Sequence, residues 1–160
     1  MKSNSGINAF CGVLLALGLT APAAAEADWA YTRWGMTPDQ VVAASGGTVK
    51  MLPSAQRTRN DYDQWELAAE GRYMDGKLGL TVGFTFDTGK GGLKCVMYNA
   101  LGADAEALRL ALINRYGKPS SESSFAATHT LTWRTPDNIE LVIGQNPVAA
   151  VVSHCMPEAH

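Results

Sequence analysis

The chain has 160 residues, with 13 basic against 15 acidic side chains, a formal charge of −2 and 46% apolar residues. That balance gives no electrostatic footprint for nucleic acid or an anionic membrane surface. The apolar share excludes bulk disorder, and the length fits one domain with one core.

The first residues read as a targeting segment. Lys2 and the amino terminus supply a positive start, and no acidic residue precedes Glu26. The apolar run Ala9 to Leu19 is shorter than the ~20 residues that span a bilayer, and Thr20-Ala21-Pro22 ends it, so a signal peptide is expected over an uncleaved anchor. Both Ala23-x-Ala25 and Ala25-x-Ala27 satisfy the small-x-small rule. Cleavage after Ala25 is preferred because it keeps Glu26 out of the processing site, with Ala27 the alternative. Cys11, at the front of the run after Asn8-Ala9-Phe10, is misplaced for a lipoprotein cysteine. The expected organisation is a signal peptide over residues 1–25 and a single exported domain over 26–160, periplasmic or secreted, with no membrane span after cleavage. Loss of Lys2 takes the formal charge from −2 to −3. Cys11 leaves with the signal, so Cys95 and Cys155 remain as an even pair. In an oxidising compartment a disulfide is expected, two buried free thiols being the alternative. The bridge would close a loop of about 60 residues, worth roughly 4 kcal/mol in the chain-entropy model.

Next in the chain is a well-marked helix start. Thr37 is a good N-cap, Pro38 suits the first helical position, Gln40 completes a capping box, and Met36 with Val41 form a hydrophobic staple. Gly46-Gly47 ends the helix. Thr48 to Asp63 reads as a polar loop with a short strand at Thr48 to Leu52. Three strands follow. In Gln64 to Met74, period-2 alternation places Trp65, Leu67, Ala69, Gly71 and Tyr73 on one face. Asp75-Gly76 signals a hairpin. Lys77 to Asp87 puts Leu78, Leu80, Val82, Phe84 and Phe86 on one face and Gly79, Thr81, Gly83 and Thr85 on the other. After the turn Thr88 to Gly92, Leu93, Cys95 and Met97 share a face. A second helix spans Ala103 to Tyr116, stopped by Gly117 and Pro119. Three more strands are expected: Ser124 to Arg134, one through Ile139, Leu141 and Ile143 after the Pro136-Asp137-Asn138 turn, and Val148 to Met156 after Asn146-Pro147. The expected fold is α+β, an antiparallel sheet of about six strands with two helices on one face, in the order helix, three strands, helix, three strands.

The segment Trp34-Gly35-Met36-Thr37-Pro38-Asp39-Gln40-Val41 resembles small exported bacterial proteins of unknown function that start their mature domain with a W-G-M-[S/T] helix start. The likeness continues through Phe84-Thr85-Phe86-Asp87, Tyr116-Gly117-Lys118-Pro119 and the late cysteine, and covers most of the mature chain. More distantly, the chain is similar to the helix-plus-antiparallel-sheet modules of β-lactamase inhibitor proteins and small outer-membrane assembly lipoproteins. That resemblance implies a protein-binding envelope module and carries over no catalytic residue.

No motif with chemistry of its own stands out. Thr88-Gly89-Lys90-Gly91-Gly92 lacks phosphate-loop spacing and precedes a strand, so a hairpin turn is expected. His129, His154 and His160 lack converging metal ligands, since His154 and Cys155 alternate across a strand. No G-x-S-x-G is present, and Asp61 and Asp63 read as solvated loop charge. Cofactors are not expected. The candidate binding surface is the small, polar face Gly79, Thr81, Gly83 and Thr85, with Arg57 and Arg59 of the adjoining loop. Trp29, Tyr31 and Trp34 form a second aromatic patch, expected to pack over the core edge. The expected function is a non-enzymatic exported domain that binds a protein or cell-envelope component; the alternative is a small-ligand-binding protein or a divergent enzyme with a site assembled from separate strands.

Overall fold

A computed structural model of the chain describes residues 29–134, 137–145 and 148–157. The targeting segment with Cys11, its cleavage sites at Ala25 and Ala27, Pro136, Asn146-Pro147 and His160 lie outside the described residues.

The elements are α1 (Pro38–Ala44), β1 (Val49–Met51), a 3-10 turn (Ser54–Gln56), β2 (Thr58–Asn60), β3 (Trp65–Asp75), β4 (Leu78–Asp87), β5 (Leu93–Leu101), α2 (Ala103–Tyr116), β6 (Ser121–Phe125), β7 (Thr128–Trp133), β8 (Asn138–Gln145) and β9 (Val148–Cys155). All strand pairs are antiparallel, in the spatial order β1-β3-β4-β5-β9-β8-β7-β6, with β2 also paired to β3. The last described strand, β9, therefore sits between β5 and β8 and joins two meanders.

This corrects the expected arrangement. The described residues form nine strands, not about six, in the order helix, five strands, helix, four strands. The two helices do not form the layer expected over one face: α1 is only 7 residues long and packs on β1 and β3 near one end, whereas α2 crosses β4, β5 and β9 at the centre. Between them lies an aromatic segment, with Trp29 against Tyr31, Tyr73, Phe84 and Tyr98.

Local chemistry explains the start. Thr37 Oγ1 accepts from Gln40 N, and Gln40 Oε1 accepts from Thr37 N at 2.9 Å, so the capping box is complete. Val41 is buried and Met36 packs against the core beside it. The Trp34-Gly35-Met36 motif has a backbone role: Gly35 N donates to Leu93 O at 3.0 Å and Leu93 N to Met36 O at 2.7 Å. Gly35 has φ +84°, and a Cβ on Gly92 would lie 2.7 Å from Gly35 Cα, so this crossing demands glycine on both segments.

Two faces of the sheet differ sharply. The core face holds Val82, Phe84, Val96, Leu141 and Val152 at 1% exposure or less, against Ala105, Leu108 and Leu112 of α2. The outer face carries Thr81, Met97, Val151 and Glu140, all exposed. Two register shifts reassign residues between these faces. Between Leu67 and Ala69 the pairing of β3 with β4 slips, so Trp65 and Leu67 lie opposite Asp87 and Thr85 on the outer face while Ala69 pairs with Phe84 on the core face. A second shift, between Thr85 and Phe86, pairs Leu93 with Phe86 on the core face and leaves Cys95 outside. The shared face expected for Trp65 through Tyr73, and for Leu93, Cys95 and Met97, is therefore split, because one extra residue inverts a period of two.

Two further turns differ from expectation. The β3–β4 hairpin turns through Gly76-Lys77, with Gly76 at φ +61°, and Asp75 pairs with Leu78. The expected strand Ser124 to Arg134 is the hairpin β6–β7, turning at Ala126-Ala127 with Ala126 at φ +48°.

Cys95 and Cys155 are directly opposite on β5 and β9 and form a disulfide, with S–S 2.10 Å and Cα–Cα 4.0 Å. Among the described residues no helix is long and apolar enough to cross a membrane.

Candidate functional site: a cleft across the outer sheet face

The register shifts build the site. By turning Trp65 outward and leaving Cys95 on the same side, they open a cleft of about 560 Å³ across one end of the sheet. Its floor includes the half-buried Cys95–Cys155 bridge, its walls Trp65 and Met156. Lys90, Lys94 and Arg134 supply three cations; Asp63 and Glu140 supply two carboxylates.

Each cation is positioned by a specific local structure. Lys90 rides on the β4–β5 turn, which the Asp87 carboxylate closes by accepting from Lys90 N at 2.6 Å and Gly89 N at 2.8 Å. Those two backbone donors, Lys90 first, hold the Asp87 carboxyl below the usual carboxylate range. Lys94 Nζ donates to Asp63 O at 2.7 Å, fastening the β2–β3 loop to β5. That loop is closed by Asn60, whose Oδ1 accepts from Asp63 N and whose Nδ2 donates to Asp63 Oδ2, both at 2.9 Å. Gln64, just before Trp65, has φ +53°, a conformation that costs a side-chain-bearing residue on the order of 1 kcal/mol. Thr88 N donates to Gln64 O at 3.0 Å and secures it. Arg134 Nη1 lies 3.5 Å from Asn138 Oδ1 on the far rim. Tyr62, at the tip of the fastened loop, is 95% exposed.

The expected binding surface is only partly open. Gly79 and Thr81 are exposed, and a Cβ on Gly79 would make ordinary contact with Met74 Sδ at 3.5 Å. Gly83 is covered by Leu67, whose Cδ1 would lie 2.9 Å from a Cβ there. Thr85 is buried and donates to Cys95 O at 3.2 Å. Arg57 donates to Leu52 O and pairs with Glu66 at 3.2 Å, and Arg59 pairs with Asp61 at 2.5 Å. None of these six residues lines the cleft; Arg57 and Arg59 lie on the chain that leads into it. Sequence reasoning passed over Trp65, Lys94 and Arg134. The bulge that brings Trp65 to the same face as Cys95 has no marker in residue type.

The opposite face holds a different polar group. His154 is fully buried, with Nε2 donating to Asp137 Oδ2 at 2.9 Å, while Trp34 Nε1 donates to Asp137 Oδ1 at 3.1 Å. The rings of Trp34, Tyr116 and Tyr98 surround the imidazole at 5.6, 6.0 and 6.5 Å. This group ties the amino-terminal segment to the far end of the sheet. Its imidazole is fully buried and the Asp137 carboxylate nearly so, at 6% exposure. His129 lies 3.6 Å from Glu122 across β6–β7. Among the described residues no group of three or more His, Cys, Asp or Glu is placed to hold a metal ion.

Comparison of the chain with protein-family models, with curated proteins and with solved structures finds no match.

Proposed function

We propose that this chain is an exported, non-enzymatic binding domain that presents its outer sheet face to a protein or cell-envelope partner. One observation carries the reading: an open cleft with aromatic and cationic walls adjoins a sheet face on which Met97 is 37%, Val151 41% and Leu101 67% exposed. A contiguous stretch of exposed apolar side chains rimmed by charge is the character of an interaction surface. An enclosed pocket would favour a small ligand; the cleft is open along the face instead. The histidine–carboxylate pair that a general acid or base would need lies buried on the other face. Export is supported by the disulfide and by the leader-like residues 1–25.

A photo-crosslinker placed at Met97, on the outer face, and separately at Leu110, on the exposed side of α2, tests the reading in envelope extracts. The expected result is a discrete adduct from Met97 and none from Leu110. Equal labelling from both positions, or no adduct from Met97, would sink it.

A further inference from the structure

We infer that the cleft receives an extended acidic segment of a partner protein, with carboxylates on Lys90, Lys94 and Arg134 and an apolar side chain between Trp65 and the Cys95–Cys155 bridge. This deepens the binding reading and rests on it.

Length is the first argument. The cleft runs from Trp65 on β3, past β4, β5 and β9, to the start of β8. Four strand spacings of ~4.8 Å make roughly 19 Å, the reach of about six extended residues. A compact anion would satisfy one end and leave the other bare. Only an elongated ligand meets Trp65 and Arg134 together.

Charge is the second. The chain as a whole is acidic, at −2, yet three cations meet at this one end of the sheet. Among the described residues none of Lys90, Lys94 and Arg134 has a carboxylate within 4.0 Å, so all three charges are available to a ligand. Of the two acidic residues in the cleft, Asp63 has its Oδ2 engaged by Asn60, which leaves Glu140 as the carboxylate that would oppose an acidic ligand. Lys94 spends one N–H on a backbone carbonyl and keeps two for a ligand.

Surface chemistry is the third. Trp65, Met156, Pro157 and the disulfide form the apolar part of the lining, so a ligand of charge alone would leave it wet. A peptide alternating acidic and apolar side chains fits both, because successive side chains of an extended chain point to opposite sides. It would cross the strands and be read by side chains, so binding should be moderate and salt-sensitive.

The test uses the full oxidised protein and fluorescence anisotropy. The probe is a capped hexapeptide alternating glutamate with leucine or phenylalanine; the controls are its lysine-for-glutamate counterpart and inorganic phosphate. Saturable binding of the acidic peptide alone is expected, unaffected by excess phosphate at constant ionic strength and weakened when the ionic strength is raised. Lys94→Glu with Arg134→Glu should weaken it by about tenfold or more, and Glu140→Lys should strengthen it. The opposite signs of these two variants separate an effect on the cleft from a loss of folding. No binding, equal binding of both peptides, competition by phosphate, or both variants staying within about twofold of the parent would overturn the inference. If the Met97 adduct forms as strongly in the Lys94→Glu/Arg134→Glu protein, the cleft assignment fails while the outer-face reading stands. If Met97 gives no adduct in the parent, the broader reading has failed on its own.

Discussion

His154 and Cys155 are consecutive in the chain and live in unlike surroundings. The imidazole is sealed among Trp34, Tyr98 and Tyr116 and hydrogen-bonded to Asp137, while the next side chain crosses to the other face and bridges to Cys95 at the floor of an open cleft. The same contrast runs over the whole sheet. Its core face is a continuous apolar layer in which polar groups are rare. Its outer face is a mosaic of small, charged and exposed apolar residues. A change on the first face should be read out in stability, and a change on the second in binding.

The largest effect expected is on the core face. Phe84 is fully buried, and Phe84→Ala should cost about 4 to 5 kcal/mol in urea unfolding, leaving peptide affinity unchanged wherever the protein stays folded. A parallel loss of affinity at full folding would break the division between the faces. Next comes the one outer-face feature with a structural share. Replacing both Cys95 and Cys155 by serine should cost about 3 to 4 kcal/mol, since the bridge spans a sequence separation of 60. It should also weaken peptide binding, because the cleft floor changes. An effect on stability with none on binding would show that the bridge is only a staple.

Asp137→Ala should cost about 2 to 3 kcal/mol, because it strips an acceptor from both His154 and Trp34 in a buried site. An urea midpoint unchanged from the parent would mean that the pair does not hold the amino-terminal segment. The smallest effect is one of pH. Tyr98, 3% exposed, has its phenol pushed well above the ordinary value of 10.0, chiefly because burial strips solvent from the phenolate, with Tyr116 adding to the shift. Above pH ~10 unfolding then releases a proton that the folded protein retains, so stability should fall by about 1.4 kcal/mol per pH unit. Below that pH this residue contributes no slope. Urea midpoints through the alkaline range should show the decline, and Tyr98→Phe should make it shallower, leaving the share of Tyr31 and Tyr116, whose phenols burial also raises.

How much of this could be read from residue types alone depended on whether a signal was local. The capping box at Thr37 and Gln40, the helix stop at Gly117 and the inward alternation of β4 are encoded within a few residues, and they were legible. β2 and β6 were not: Thr58–Asn60 and Ser121–Phe125 are short, polar edge segments whose pairing is decided by the neighbouring strand. Ala126-Ala127 carries none of the glycine or asparagine that advertises a tight hairpin, so β6 and β7 read as one strand. The cleft escaped notice for a related reason. The bulge at Ala68 is a fact of pairing between β3 and β4, and counting by twos kept Trp65 with the core. His154 did leave a trace, since it continues the inward series of Ala150 and Val152. Its partner Asp137 sat in what looked like an ordinary turn.

The insertion of β9 between β5 and β8 has a consequence for how the molecule comes into being. During synthesis, β1 to β5 can zip together as they emerge, and so can β6 to β8, because each neighbour is close in sequence. The central slot stays empty until Val148–Cys155 arrives, some fifty residues after β5. Until then two hydrogen-bonding edges face water, each a template for the wrong strand. Closure must pair Cys95 with a residue 60 positions later, a long-range step of the kind that slows assembly. A nascent chain halted before β9 would hold two unfinished sheets, and protection by a chaperone would matter most in that interval.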